Sequence, residues 1–331
     1  MNRGRLPVFA LRVCSLILGA ALLESCYVIQ QAGPFLSQRM RAVPIDKLLA
    51  GDEITPEVRR FLLEVQDIRQ FAEKDLSLAA GKNYTGYVTL DRNYLAAVIQ
   101  AAPEFSTDPY LFWYPFLGKL PYRGYYDPKS AISYGKKLES KGLDVFIRPV
   151  DAFSSLGFFK DPLYSFMADY PAFRIAELII HEETHATVFF KKYPDFNEKL
   201  ATFVGTKGAE LYLEHTGRTD LLDADKENEQ KNEAFKKDVF ALSGRLDELY
   251  GRDIEPQAMR AEKKRILDEF RQKWELPYEV NNAFVSLYSI YEEPDNRIEK
   301  IYLRVGSVPA LMTLCEQALK DGVDPWTLAQ P

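Results

Sequence analysis

The chain has 331 residues, 47% hydrophobic and 27% charged, the balance of a globular protein with room for one large domain or two small ones. A formal net charge of −6 lacks the basic footprint that a nucleic-acid partner requires, so no nucleic acid is expected. Three cysteines are too few for a disulfide framework, and two of them, Cys14 and Cys26, fall near the N-terminus, so Cys315 is expected to be a lone, buried thiol.

Arg3, Arg5 and Arg12 form a positive n-region ahead of an apolar stretch at 13–23, so residues 1–25 read as a signal peptide. Leu23-Glu24-Ser25-Cys26 resembles the lipobox of bacterial lipoproteins, in which the cysteine is acylated and becomes the mature N-terminus. Glu24 departs from the small neutral residue usual there. The resemblance implies lipidation at Cys26 and a chain anchored in the cell envelope, facing the periplasm or exterior. No later apolar run is long enough to span a bilayer.

Thr55-Pro56 is a helix start, and Val58, Phe61, Leu62, Val65, Ile68, Phe71 and Ala72 recur at helical spacing, which predicts a helix over 56–80 ended by Gly81-Lys82-Asn83. Strand-like stretches follow at 84–90, 94–101 and 143–150, with a helix at 128–141 closed by Gly142. The second half carries mostly helical patterns. Between 220 and 273 the apolar stripes Val239, Leu242, Leu246, Leu249 and Ile266, Leu267, Phe270 lie amid dense charge, the pattern of a charged helical hairpin. With no repeat and no linker composition, the expected organisation is one α+β domain over 26–331 with a helical excursion at about 220–275.

The segment that carries chemistry is His181-Glu182-Glu183-Thr184-His185. Histidines four apart lie on one helix face, close enough to hold one metal ion, and the glutamate after the first can reach a water there. Catalytic zinc takes three protein ligands, and Glu198 is the best third candidate because a turn at Tyr193-Pro194-Asp195 would fold a second helix back on the first. Two alternatives stay open. Asp195 and Glu198 are spaced as a capping box, which would explain the glutamate without metal, and His215 is a rival third ligand.

HEETH followed by FNEKLATFVG resembles the gluzincin peptidases, whose third ligand is the glutamate of an Asn-Glu motif on the next helix. More closely, the chain resembles a family of predicted zinc aminopeptidases found as bacterial lipoproteins. The matching stretches are AAPEFS (101–106), YRGYYD (122–127), GLDVFIRPVDAFSSLGFFKDP (142–162), HEETH (181–185), FNEKLATFVG (196–205) and NNA (281–283). The resemblance implies a gluzincin-like α+β fold with a small sheet and the HExxH helix packed on a second ligand helix. It implies Zn2+ on His181, His185 and Glu198, with Glu182 as general base. Thr184 departs from the small apolar residue expected at its position.

The expected activity is hydrolysis of peptides by a zinc-activated water, with Glu182 taking its proton. Tyr122, Arg123, Tyr125 and Tyr126 are candidates to stabilise the oxyanion, or else aromatic packing at a strand end. By analogy with the gluzincin edge strand, Ser155, Leu156, Gly157 and Phe158 are placed against substrate backbone, where a glycine permits close approach. An aminopeptidase also needs an acid for the free amine. Glu104, Asp151 and Glu177 are open choices, and the Gly-x-Met-Glu-Asn exopeptidase motif is absent. The rival readings are a non-catalytic zinc-binding lipoprotein scaffold and a cell-wall peptide amidase or endopeptidase.

Overall fold

Periodic helices and short strands are both realised in the computed structural model, which describes residues 31–330 apart from 32, 35, 38–39, 80, 115–117, 152–160 and 289–294. The predicted signal segment, Cys26 and the run Ser155, Leu156, Gly157, Phe158 lie outside the described residues. In chain order the strands are β1 (Val43–Pro44), β2 (Gly86–Val88), β3 (Ala96–Pro103), β4 (Phe112–Tyr114), β5 (Gly118–Leu120), β6 (Arg123–Tyr125), β7 (Leu143–Val150) and β8 (Leu163–Tyr164). The helices are α1 (Ile45–Ala50), α2 (Pro56–Lys74), α3 (Pro128–Glu139), α4 (Ala172–Thr187), α5 (Pro194–His215), α6 (Asp220–Tyr250), α7 (Pro256–Lys273), α8 (Asn282–Leu287), α9 (Arg297–Val305) and α10 (Val308–Asp321). The class is α+β. Among the described residues no helix is long and apolar enough to cross a membrane.

The chain divides into two compact units. Among the described residues the first gathers those within 31–41, 94–151 and 237–288, the second those within 42–93, 161–236 and 295–330.

The first unit is built on an antiparallel sheet in the order β6-β3-β7, with β3 paired to β7 over its whole length, Ala96 opposite Val150 through Pro103 opposite Leu143. Asp127 caps α3 by accepting from the backbone N–H groups of Lys129 and Ser130, and Ala131 and Leu138 of that helix pack with Ala97, Ile99 and Tyr125 of the sheet. Three stretches of the family pattern meet here. The fully buried Asn282 donates from Nδ2 to the carbonyls of Pro103 (3.0 Å) and Glu104 (2.9 Å), and its own N–H donates to Asp144. Lys263 joins the same carboxylate at 2.6 Å. AAPEFS, GLDVF and NNA thus form one satisfied polar knot, a structural role.

The second unit packs α2, α4 and α5 together beside the small sheet β1-β2-β8. Helix α2 starts as predicted, with Thr55 accepting from the Val58 N–H and Pro56 in the first helical position. It stops at Lys74 rather than at residue 80. Ser77 takes a left-handed φ of 58° and the Leu78 N–H returns to the Ala72 carbonyl, so Leu76 and Leu78, which prolong the apolar period, are buried beyond the helix end. Tyr84 also has a left-handed φ of 56°, which shortens the predicted strand at 84–90 to Gly86–Val88. Cys315 is buried in α10, and burial pushes its thiol up to about 12.

Candidate metal centre

Pro171 leads into α4, whose apolar residues Ile175, Ala176, Ile179 and Ile180 are buried and leave the HEETH face towards α5. The helix ends at Thr187, because Val188 turns extended. The six residues 188–193 form the return. Asn197 fixes this return from both sides: its Oδ1 accepts from the Phe190 N–H and its Nδ2 donates to the Phe190 carbonyl, both at 2.9 Å. The Asn of the Asn-Glu pair is therefore a buried clamp on the loop, and it sets where the next side chain, Glu198, emerges.

Glycines let α5 come in close. A Cβ at Gly205 would stand 2.9 Å from the Glu177 carbonyl and 3.1 Å from His181 Cβ, and one at Gly208 would stand 2.8 Å from the Ile180 side chain. With Ala201 and Ala209 they form a stripe of small residues along α5, so the two helices meet almost backbone to backbone.

The result is a compact donor set. His181 Nε2 and His185 Nε2 are 3.1 Å apart, Glu198 Oε1 is 3.5 Å from His185 Nε2, and Glu198 Oε2 is 3.8 Å from His181 Nε2. One ligand atom from each residue lies within 4.8 Å of the others. Donors about 2.0–2.1 Å from a tetrahedral zinc stand roughly 3.3 Å apart, so the spacing suits one ion. Burial first, then the neighbouring His185, pulls the His181 imidazole down to about 4, which keeps it neutral and able to coordinate at pH 7. A hydrogen bond with His185 holds the Glu198 carboxyl below its ordinary range, against the opposing effect of burial, and so keeps it anionic.

The capping-box alternative does not form. Tyr193 is the N-cap of α5 and supplies no side-chain bond, Pro194 is the first helical residue, and Asp195 is the second. Glu198 therefore sits fifth, past the position a capping box uses. His215 occupies the last turn of the same helix with its ring 5.2 Å from that of Phe71. Seventeen residues separate it from Glu198, about 25 Å along the helix axis, too far to share an ion.

A model of the family described as "Putative aminopeptidase" matches residues 26–312. The chain belongs to that family. Searches of curated proteins and of solved structures find no match. Membership points to peptidase chemistry, and the geometry around HEETH can be set against it residue by residue.

Glu182 is half-buried beside His185 and Glu198 of the donor set. Burial raises its carboxyl above the ordinary range, His185 opposes this, and Asp161 and Glu198 add to it. Asn83 Nδ2 donates to Glu182 Oε2 at 3.3 Å. The second glutamate of the motif, Glu183, points the other way into the core. It is 1% exposed, pushed up to about 7 by burial, and faces Arg69 of α2 at 3.4 Å. Thr184, the departure from the family pattern, is buried with its hydroxyl donating to the Ile180 carbonyl one turn back, so it adds no unsatisfied group.

Of the three acids weighed for a substrate amine, Glu177 belongs to the second unit, one turn before His181, where it accepts from Thr206 and Arg174. Glu104 is paired with Arg260 at 2.6 Å in the first unit, and Asp151 is exposed in that unit. Tyr122, Arg123, Tyr125 and Tyr126 also belong to the first unit. There Arg123 lies over the Tyr134 ring at 5.0 Å, Tyr125 is core, the Tyr122 carbonyl accepts from the Tyr114 hydroxyl, and the Tyr126 N–H donates to Gln31. Arg123, Tyr125 and Tyr126 are buried in that unit, and the Tyr122 side chain is exposed. Sequence reasoning missed Asn83 and Arg69, which no local pattern marks.

Proposed function

We propose that the chain is a zinc-dependent aminopeptidase, anchored in a bacterial cell envelope through a lipid at Cys26. The observation that carries the reading is the meeting of His181, His185 and Glu198 donor atoms within 4.8 Å, beside a glutamate free of the ligand set. Zinc held by those three residues would act as a Lewis acid, polarising a scissile carbonyl and bringing the pKa of water towards about 7. Glu182 would take a proton from the attacking water and deliver it to the leaving amine. A carboxyl raised by burial is better matched to that shuttle at neutral pH than an ordinary one. Glu177 is our choice for the free amine of the substrate, since it shares the helix and the face of His181. A gluzincin-like relationship is consistent with the HExxH helix packed on a helix bearing Asn197-Glu198.

The test is metal content together with hydrolysis of a mixed peptide library. One zinc per chain with release of N-terminal residues supports the aminopeptidase. A zinc-loaded chain that cleaves nothing overturns it, and cleavage confined to internal or cell-wall peptide bonds overturns the exopeptidase part.

The anchor has its own test. With Cys26→Ser the chain should lose acyl labelling and either accumulate as precursor or appear in the soluble fraction. Acyl label persisting on that variant would refute lipidation at Cys26.

A further inference from the structure

A general base works only if its carboxylate is held, and a glutamate side chain turns about three torsions. The turn at 81–84, part of the connection from α2 to β2, lies against the motif glutamates. Arg69 donates to the carbonyls of both Gly81 (2.8 Å) and Asn83, while facing Glu183 on α4. At the other side the Tyr84 N–H donates to the Asp161 carbonyl at 2.7 Å, and the Asp161 N–H donates to Asn83 Oδ1 at 3.1 Å. Tyr84 accepts a left-handed backbone, unfavourable for an aromatic residue, so this turn is imposed by its partners.

These bonds also fix which way the Asn83 amide faces. With Oδ1 taken by the Asp161 N–H, the Nδ2 group is left to donate to Glu182 Oε2, and a flipped amide would set N–H against N–H. We propose that Asn83 is a positioning residue for Glu182, tying down one carboxylate oxygen so that the other stays aimed at the attacking water. The proposal rests on Glu182 being the base, as argued above. Nothing in it depends on substrate identity.

Asn83→Asp is nearly isosteric, retains an oxygen to accept from the Asp161 N–H, and turns the donor into a second acceptor. The expected result on the zinc-loaded full chain is a kcat reduced about 10- to 100-fold, as for loss of other orienting partners. KM, zinc stoichiometry and melting temperature should stay near wild type. Asn83→Ala adds no charge and should lower kcat similarly, which keeps the test open should the aspartate variant fold poorly. The discriminating readout is the cycle with Glu182→Gln: once the base is gone, Asn83→Asp should slow the residual rate no further. Full kcat in both Asn83 variants overturns the proposal. So does a rate loss that tracks lost zinc or lost melting temperature, or one that multiplies undiminished with Glu182→Gln. An inert zinc-loaded wild type would be a different failure, that of the peptidase reading itself, and the proposal would fall with it.

Discussion

Glu182→Gln is expected to slow peptide hydrolysis about 10²- to 10⁴-fold while zinc binding and fold survive. Glutamine keeps the volume of the side chain and can still accept the Asn83 donor through its carbonyl oxygen, so the loop at 81–84 has no reason to shift. What it removes is the capacity to carry a proton. Glu182 lies outside the donor set of His181, His185 and Glu198, so zinc stoichiometry should equal wild type. The lost interaction belongs to the transition state, and the fall should therefore appear in kcat with KM little changed. The measurement is steady-state kinetics on zinc-replete protein of both forms. Equal rates would show that Glu182 is not the base. An inactive wild type would leave the scaffold reading standing.

The histidine pair is legible in sequence because i and i+4 on one helix is a local relation, fixed by helical pitch alone. Glu198 is harder, since a shift of helix start by a residue or two decides whether it reads as a cap or a ligand. Pro194 at the first position removes the cap reading, and the structure adds two causes of the donor set's geometry that the spacing alone does not display: the Asn197 clamp on Phe190 and the close approach at Gly205 and Gly208. Asn83 and Arg69 were beyond reach. They lie about a hundred residues before the motif; the packing of α2 on α4 brings Arg69 to it, and the turn held by Arg69 and Asp161 brings Asn83. The same limit applies to YRGYYD, which suggests chemistry when read as a string but does not by itself tell the buried Arg123, Tyr125 and Tyr126 from the exposed Tyr122. Leu76 and Leu78 show the converse error, where apolar spacing reports burial correctly and helix wrongly.

Glu198→Ala is expected to abolish zinc retention during dialysis while barely altering the stability of the metal-free chain. Two facts separate these effects. The Glu198 side chain is 67% exposed, and it stands fifth in α5, where it serves no cap. Its removal should therefore cost the apo protein no more than roughly 0.5 kcal/mol, the usual scale for a surface substitution. The metal loses one of three protein donors, and the anionic one, so affinity should fall by more than the roughly 10- to 100-fold that follows loss of an outer-shell partner. In melting experiments, added zinc should raise the midpoint of the wild type by mass action on the folded state, and that increment should vanish in the variant. Glu198→Gln makes the contrast sharper, because it keeps length and shape but offers a neutral oxygen. Its apo midpoint should match wild type and its zinc increment should be small. If either variant holds one zinc per chain with full increment, the third ligand is another residue and the donor set described above is wrong. If the apo midpoint drops instead and zinc is retained, Glu198 is a structural residue of α5 after all.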